Sequence, residues 1–82
     1  MTIITVVTRD REWTATEQAT VDAANNDAIA AGNTFSNYAA STLTDFPRTN
    51  IRIWTNTDSA NAYVAMLNGF TPPPPQAVVQ TI

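Results

Sequence analysis

Residues 3–8, Ile3-Ile4-Thr5-Val6-Val7-Thr8, are β-branched at every position. Branching at Cβ costs rotamer freedom in a helix and packs well on a pleated surface. Successive strand residues face opposite sides, and here both sides are apolar: Ile3 and Val7 on one, Ile4 and Val6 on the other. That pattern suits an interior strand covered on both sides.

The next stretch carries its own punctuation. Arg9-Asp10-Arg11-Glu12 is a polar turn, and Thr14-Ala15-Thr16-Glu17 fits a capping box, in which Thr14 and Glu17 each accept the other's backbone N–H. An Ala-rich helix is predicted from about Ala15 to Ala31, with Gly32 as its left-handed terminator. Val21, Ala24, Ala28 and Ala31 share one face, Ile29 flanks it, and such small residues predict a close approach to whatever the helix packs on. Between Asn33 and Phe46 no clean period holds, and a strand is assigned from about Tyr38 to Thr44. Pro47–Asn50 reads as a turn and Asn50–Thr55 as a strand, with Ile51 and Ile53 on one side and Arg52 and Trp54 on the other.

Thr57 is the expected cap of a second helix, in which Ala60, Tyr63, Leu67 and Phe70 recur at helical spacing with Val64 beside them; Gly69 ends it. Pro72–Pro75 is an extended spacer, and Ala77–Ile82 returns to strand composition. The order strand, helix, strand, strand, helix, strand over 82 residues predicts a single α+β domain: a ferredoxin-like βαββαβ sandwich with an antiparallel four-stranded sheet of order 4-1-3-2 and two helices on one face. The Ile51/Ile53 side is expected under the helices, which leaves the Arg52/Trp54 side open.

Missing residue types exclude much chemistry. Without cysteine there is no disulfide framework or thiolate nucleophile; without histidine there is no ordinary zinc site; without lysine there is no Schiff base or P-loop. The net charge of −3 and only four arginines, in two pairs (Arg9/Arg11 and Arg48/Arg52), argue against nucleic acid as a partner. No apolar run approaches the ~20 residues of a membrane helix, and the N-terminal residues lack the basic region of a secretory signal. Of the hydrophobic 44%, 13 residues are alanine, so large core side chains are scarce and oligomerisation is expected to supplement the core.

Ile51-Arg52-Ile53-Trp54-Thr55, the segment Ala60–Phe70, the proline run and the closing strand together resemble the second half of small ferredoxin-like proteins, including the dimeric α/β-barrel superfamily, whose members pair two sheets face to face. The Thr-rich, cysteine-free style is similar to that of short bacteriophage-encoded proteins. This resemblance implies a setting in the virion or the host cytoplasm. Some members of that superfamily are cofactor-free monooxygenases or bind haem; with no histidine here, haem ligation of the histidine kind is excluded.

Individual candidates read mostly as structure. Glu12 and Glu17 could pair for acid–base work, but Glu17 fits a cap and Glu12 a solvated turn. Asp22, Asn25, Asn26 and Asp27 lack the spacing of a calcium loop. Ser36, Ser41 and Ser59 have no histidine or lysine base. Arg52 beside Trp54 has hot-spot composition, and with Val78, Gln80 and Ile82 of the closing strand it makes the candidate interface. The reading is a non-enzymatic, cofactor-free structural or interaction module, such as a phage virion accessory or decoration subunit, that self-associates or docks on another protein. The alternatives are a small-ligand-binding or cofactor-free enzyme of the dimeric ferredoxin-like type, and a phage inhibitor of a host protein.

Overall fold

The doubly apolar N-terminal segment forms β1 (Ile3–Arg9), which lies inside a four-stranded sheet between β3 (Arg48–Trp54) and β4 (Gln76–Thr81). The fourth strand, β2 (Phe35–Ala40), borders β3, giving the order β2-β3-β1-β4 with every neighbouring pair antiparallel. α1 (Ala15–Ala30) joins β1 to β2, and α2 (Thr57–Asn68) joins β3 to β4. This computed structural model describes residues 1–33 and 35–82, apart from the side chains of Phe35, Asn37 and Ala40. It is an α+β fold of the ferredoxin-like type, as the element order predicts.

The helix ends follow from local chemistry. Thr14 Oγ1 accepts from the Glu17 backbone N–H at 3.2 Å, and Glu17 Oε1 accepts from the Thr14 N–H at 2.9 Å, closing the capping box. After α1 the chain passes through Gly32 at φ +83°, where a Cβ would be strained. For α2 the cap is Asn56 rather than Thr57. Its side-chain oxygen accepts from the Ser59 N–H at 3.2 Å, and Thr57 becomes the first helical residue.

Three boundaries differ from expectation. β3 begins at Arg48, so the turn expected over Pro47–Asn50 is strand from Arg48 onward, because those residues pair with Arg9, Thr8 and Val7 of β1. β2 covers Phe35–Ala40 instead of Tyr38–Thr44, because a bulge between Asn37 and Ala39 breaks the alternation on which a strand reading depends. The proline run is not uniformly extended: the chain bends at residues 70–72 and at Pro75, and Pro74 is buried. Arg11 Nη2 donates to the Pro72 carbonyl at 2.9 Å, tying the run to the entry of α1.

Strand register decides what each sheet face carries. Ile3, Thr5, Val7 and Arg9 oppose Trp54, Arg52, Asn50 and Arg48 on β3, and Thr81, Val79 and Ala77 face the first three on β4. This is the helix side. Val7 and Ala77 pack with Val21 of α1 and Leu67 of α2, with Trp13, Tyr63, Val64, Met66 and Phe70 around them. Trp54 packs with Ala28 and Ala60, bordered by Ile3, Tyr63 and Val79. The helices therefore cover the Arg52/Trp54 side, and the expectation that they cover Ile51 and Ile53 is overturned.

The reason lies in Trp54. Its indole is 3% exposed, and Nε1 donates to Thr5 Oγ1 at 2.8 Å, with Thr5 itself 1% exposed. Burial under the helices takes the largest apolar side chain of β3 out of water, and the single indole donor finds an acceptor one strand away. The close approach that the small residues of α1 predict is made to α2, not to the sheet. Among the described residues no α1 Cα comes within 8 Å of a strand Cα, whereas α2 approaches β1, β3 and β4 that closely. The floor beneath the helices carries Arg9, Arg52 and Trp54, and the alanines of α1 are too short to fill what those long side chains leave.

Candidate functional site

The sheet presents two surfaces of opposite chemistry. On the side away from the helices, register stacks residues in rows across β3, β1 and β4. They are Ile51–Val6–Val78, then Ile53–Ile4–Gln80, flanked at one end by Thr49–Thr8–Gln76. Thr2 and Ile82 exchange two backbone hydrogen bonds of 2.8 Å beyond the other end. Ile4 is only 4% exposed although it belongs to neither helix-side cluster, while Val6, Ile51, Ile53 and Val78 are half-buried and Ile82 is exposed. The polar row is internally bonded. Thr8 Oγ1 donates to Gln76 Oε1 at 3.2 Å, so the 2.9 Å contact between the Thr8 and Thr49 hydroxyls is donated by Thr49.

This open face holds no charge. No acid occurs in any strand, and the three strand arginines, Arg9, Arg48 and Arg52, all point to the helix side. Of the candidate interface residues, Val78, Gln80 and Ile82 fall on the open face. Arg52 and Trp54 do not; they lie beneath the helices.

Beneath α1 the arginines meet aromatic rings. Arg9 Cζ stands 4.3 Å from the Trp13 ring centre and 5.5 Å from that of Phe46, and Arg48 Cζ is 4.1 Å from Phe46. Arg52 Cζ is 5.4 Å from Tyr63 and 5.8 Å from Trp54, and its Nη1 donates to Asn25 Oδ1 at 3.2 Å. These distances are those of cation–π pairs. Glu12 serves two of the arginines, at 3.6 Å from Arg9 Nη2 and 3.5 Å from Arg48 Nη2, but it is itself 73% exposed. Burial outweighs this acid and holds the Arg9 guanidinium below its ordinary pKa. Both Arg9 Nε and Arg48 Nε are buried without a hydrogen-bond partner.

Glu17 has a different role. Arg11 grips it with two bonds, Nη1 to Oε1 at 2.6 Å and Nη2 to Oε2 at 2.9 Å. Those bonds, and then the Thr14 N–H, lower the Glu17 pKa to about 2. Glu12 and Glu17 are thus each engaged with arginines, Glu12 with Arg9 and Arg48 and Glu17 with Arg11. No group of three or more carboxylates that could hold a metal ion occurs among the described residues.

Two clefts open where α1 stands off the sheet. One, of about 220 Å³, lies between α1 and α2 and is lined by Ala24, Ala28, Trp54, Ala62 and Tyr63, with Asp27 and Ser59 at its polar parts. The other, of about 190 Å³, lies between α1 and the sheet. Its lining combines Arg9, Arg52, Asn25, Asn50 and Gln18 with Thr5, Val7, Val21, Trp13 and Tyr63. Sequence reasoning passed over this set. Its signal, the shared parity of Arg9, Arg48 and Arg52 along two strands, was hidden because Arg9 and Arg48 read as turn residues and only Arg52 as part of an open face. Neither a protein-family model nor a curated protein matches this sequence.

Proposed function

We propose that the protein is a non-enzymatic interaction module that self-associates through its open sheet face. The observation that carries this reading is the charge-free, β-branched surface of Ile4, Val6, Ile51, Ile53 and Val78. Edge and surface strands that must stay apart normally display charges, above all lysine. Here every strand charge is turned inward.

A second copy is the occupant that fits. Four strands about 4.8 Å apart and six or seven residues long give a footprint of about 400 Å². Two such faces cover about 800 Å², the size of a weak, concentration-dependent contact. Two neutral faces also meet without stranding an unpaired charge, which a charged partner would do. The small core supports the same reading, since Leu67 is the only large apolar side chain that is fully buried among the described residues. The polar row Thr49–Thr8–Gln76 would lie at the rim, where its hydrogen bonds are already satisfied internally.

Light scattering on a sizing column tests the proposal with wild type, Ile51→Glu and Val78→Glu. Wild type should pass from monomer to dimer as concentration rises through the micromolar range. Each variant should stay monomeric with unchanged helical circular dichroism. A wild type that is monomeric at millimolar concentration, or folded variants that dimerise as wild type does, would overturn it.

A further inference from the structure

We propose that the cleft between α1 and the sheet binds a small organic acid, with Arg9 and Arg52 taking its carboxylate and the rings of Trp13 and Tyr63 flanking a flat body. On the helix side, the row Arg9–Arg48 and the row Thr5–Arg52 lie on either side of the row Val7–Asn50. Arg9 and Arg52 thus rise from opposite ends of a floor made by Val7 and Asn50. Their Cα atoms lie four residues apart along the strands and one strand apart across them, about 14 Å in all, and both side chains line the cleft.

The charge pattern selects the ligand. The chain carries −3, yet no acid lines this cleft, which contains two of its four arginines. Glu12 is the only acid paired with Arg9, and it stands in solvent at 3.6 Å. Arg9, with its side chain 17% exposed, has no acceptor for its Nε–H among the described residues, while its Nη2 donates to the Arg11 carbonyl at 3.3 Å. A buried guanidinium with an incomplete set of acceptors gains from a carboxylate, whose two oxygens match its planar fork. A small anion is repelled by most of the molecule and attracted here.

Shape narrows the class. The volume, about 190 Å³, is below the usual range for drug-sized ligands. Each guanidinium is stacked on a ring of the wall, Arg9 on Trp13 and Arg52 on Tyr63, so the space between them is bounded by planar groups. Asn25, Asn50 and Gln18 add amide donors and acceptors around the charged end. A single carboxylate on a ring-sized planar body satisfies all three conditions. This inference is independent of self-association, because the cleft and the open face lie on opposite sides of the sheet.

Benzoate is the probe, with benzamide as its neutral isostere and succinate as an acid without a ring. A ¹H–¹⁵N NMR titration on the full chain follows the Arg9 Nε–H, the Trp13 indole and the Asn25 side-chain amide. Benzoate should shift these signals saturably and bind at least about tenfold more tightly than either comparison compound. Arg52→Gln, which keeps a neutral donor for Asn25, should weaken benzoate about tenfold without lowering the melting temperature by more than a few degrees. Glu12→Gln, at an exposed position, should tighten it by releasing Arg9 from its one acid. Equal binding of benzoate and benzamide, shifts confined to residues outside the cleft, or an unchanged affinity in both variants would overturn the proposal. Succinate binding as tightly as benzoate would overturn the planar body.

Discussion

The bond between Trp54 and Thr5 decides which side of the sheet faces the helices, and it can be tested in isolation. Thr5→Val keeps the shape and β-branching of the side chain while removing the acceptor 2.8 Å from the indole Nε1. Both residues are buried, so water cannot replace the lost partner. Leaving a buried donor unsatisfied costs about 1–3 kcal/mol, offset in part by the added methyl group. A net loss of about 1–2 kcal/mol is expected. In a domain of this size each kcal/mol moves the melting temperature by about 4–8 °C. Thermal and urea unfolding of Thr5→Val, Trp54→Phe and the double variant form a cycle. Trp54→Phe alone loses the same bond and some packing against Ala28 and Ala60. If the bond is real, the double variant is more stable than the summed single losses by at least about 0.5 kcal/mol. A Thr5→Val protein as stable as wild type, together with additive losses, would mean that the indole is not held there.

Two further expectations follow from the ends of α1. Glu17 is held at a pKa of about 2 by Arg11 and the Thr14 N–H, below the unfolded carboxyl value near 4.5, so its stabilising contribution is full above that value and is lost as pH falls towards 2. Chemical denaturation across pH 2–6 should show wild type losing more stability than Glu17→Gln, which retains the cap but not the charge; parallel profiles would remove Arg11 from the account. Gly32→Ala meets no neighbouring atom but must hold φ near +83°, so it should cost about 1 kcal/mol in urea unfolding, and a neutral result would argue against the left-handed turn.

What the sequence revealed was mostly local. The capping box at Thr14 and Glu17 needs only four residues, and the doubly apolar β1 states its central position by itself. From those elements the sheet order followed. The choice of sheet face could not be read the same way, because alternation in β3 is symmetric. Ile51 and Ile53 look like a core pair, and only the three-dimensional packing of Trp54 under α2 breaks the tie. Arg52 compounded this, since an arginine beside Trp54 ordinarily marks an open surface, whereas here its guanidinium lies 5.4 Å from the Tyr63 ring centre beneath the helices; Arg9 and Arg48, read as turn residues, gave no counter-signal. β2 was shifted by its bulge, which no residue type announces.

Strand order also sets a timetable for synthesis. β1 is made first and needs two partners, but one of them, β4, is the last strand of the six elements. Until Gln76–Thr81 emerges from the ribosome, one edge of β1 has exposed backbone donors and acceptors beside Ile4 and Val6. β1 and β3 can pair early, and α2 can form by itself, yet the sheet closes only through contacts spanning more than 65 residues. The edge of β1 that faces β4 therefore stays uncovered until the last strand of the fold has been made, even while its other edge is paired with β3.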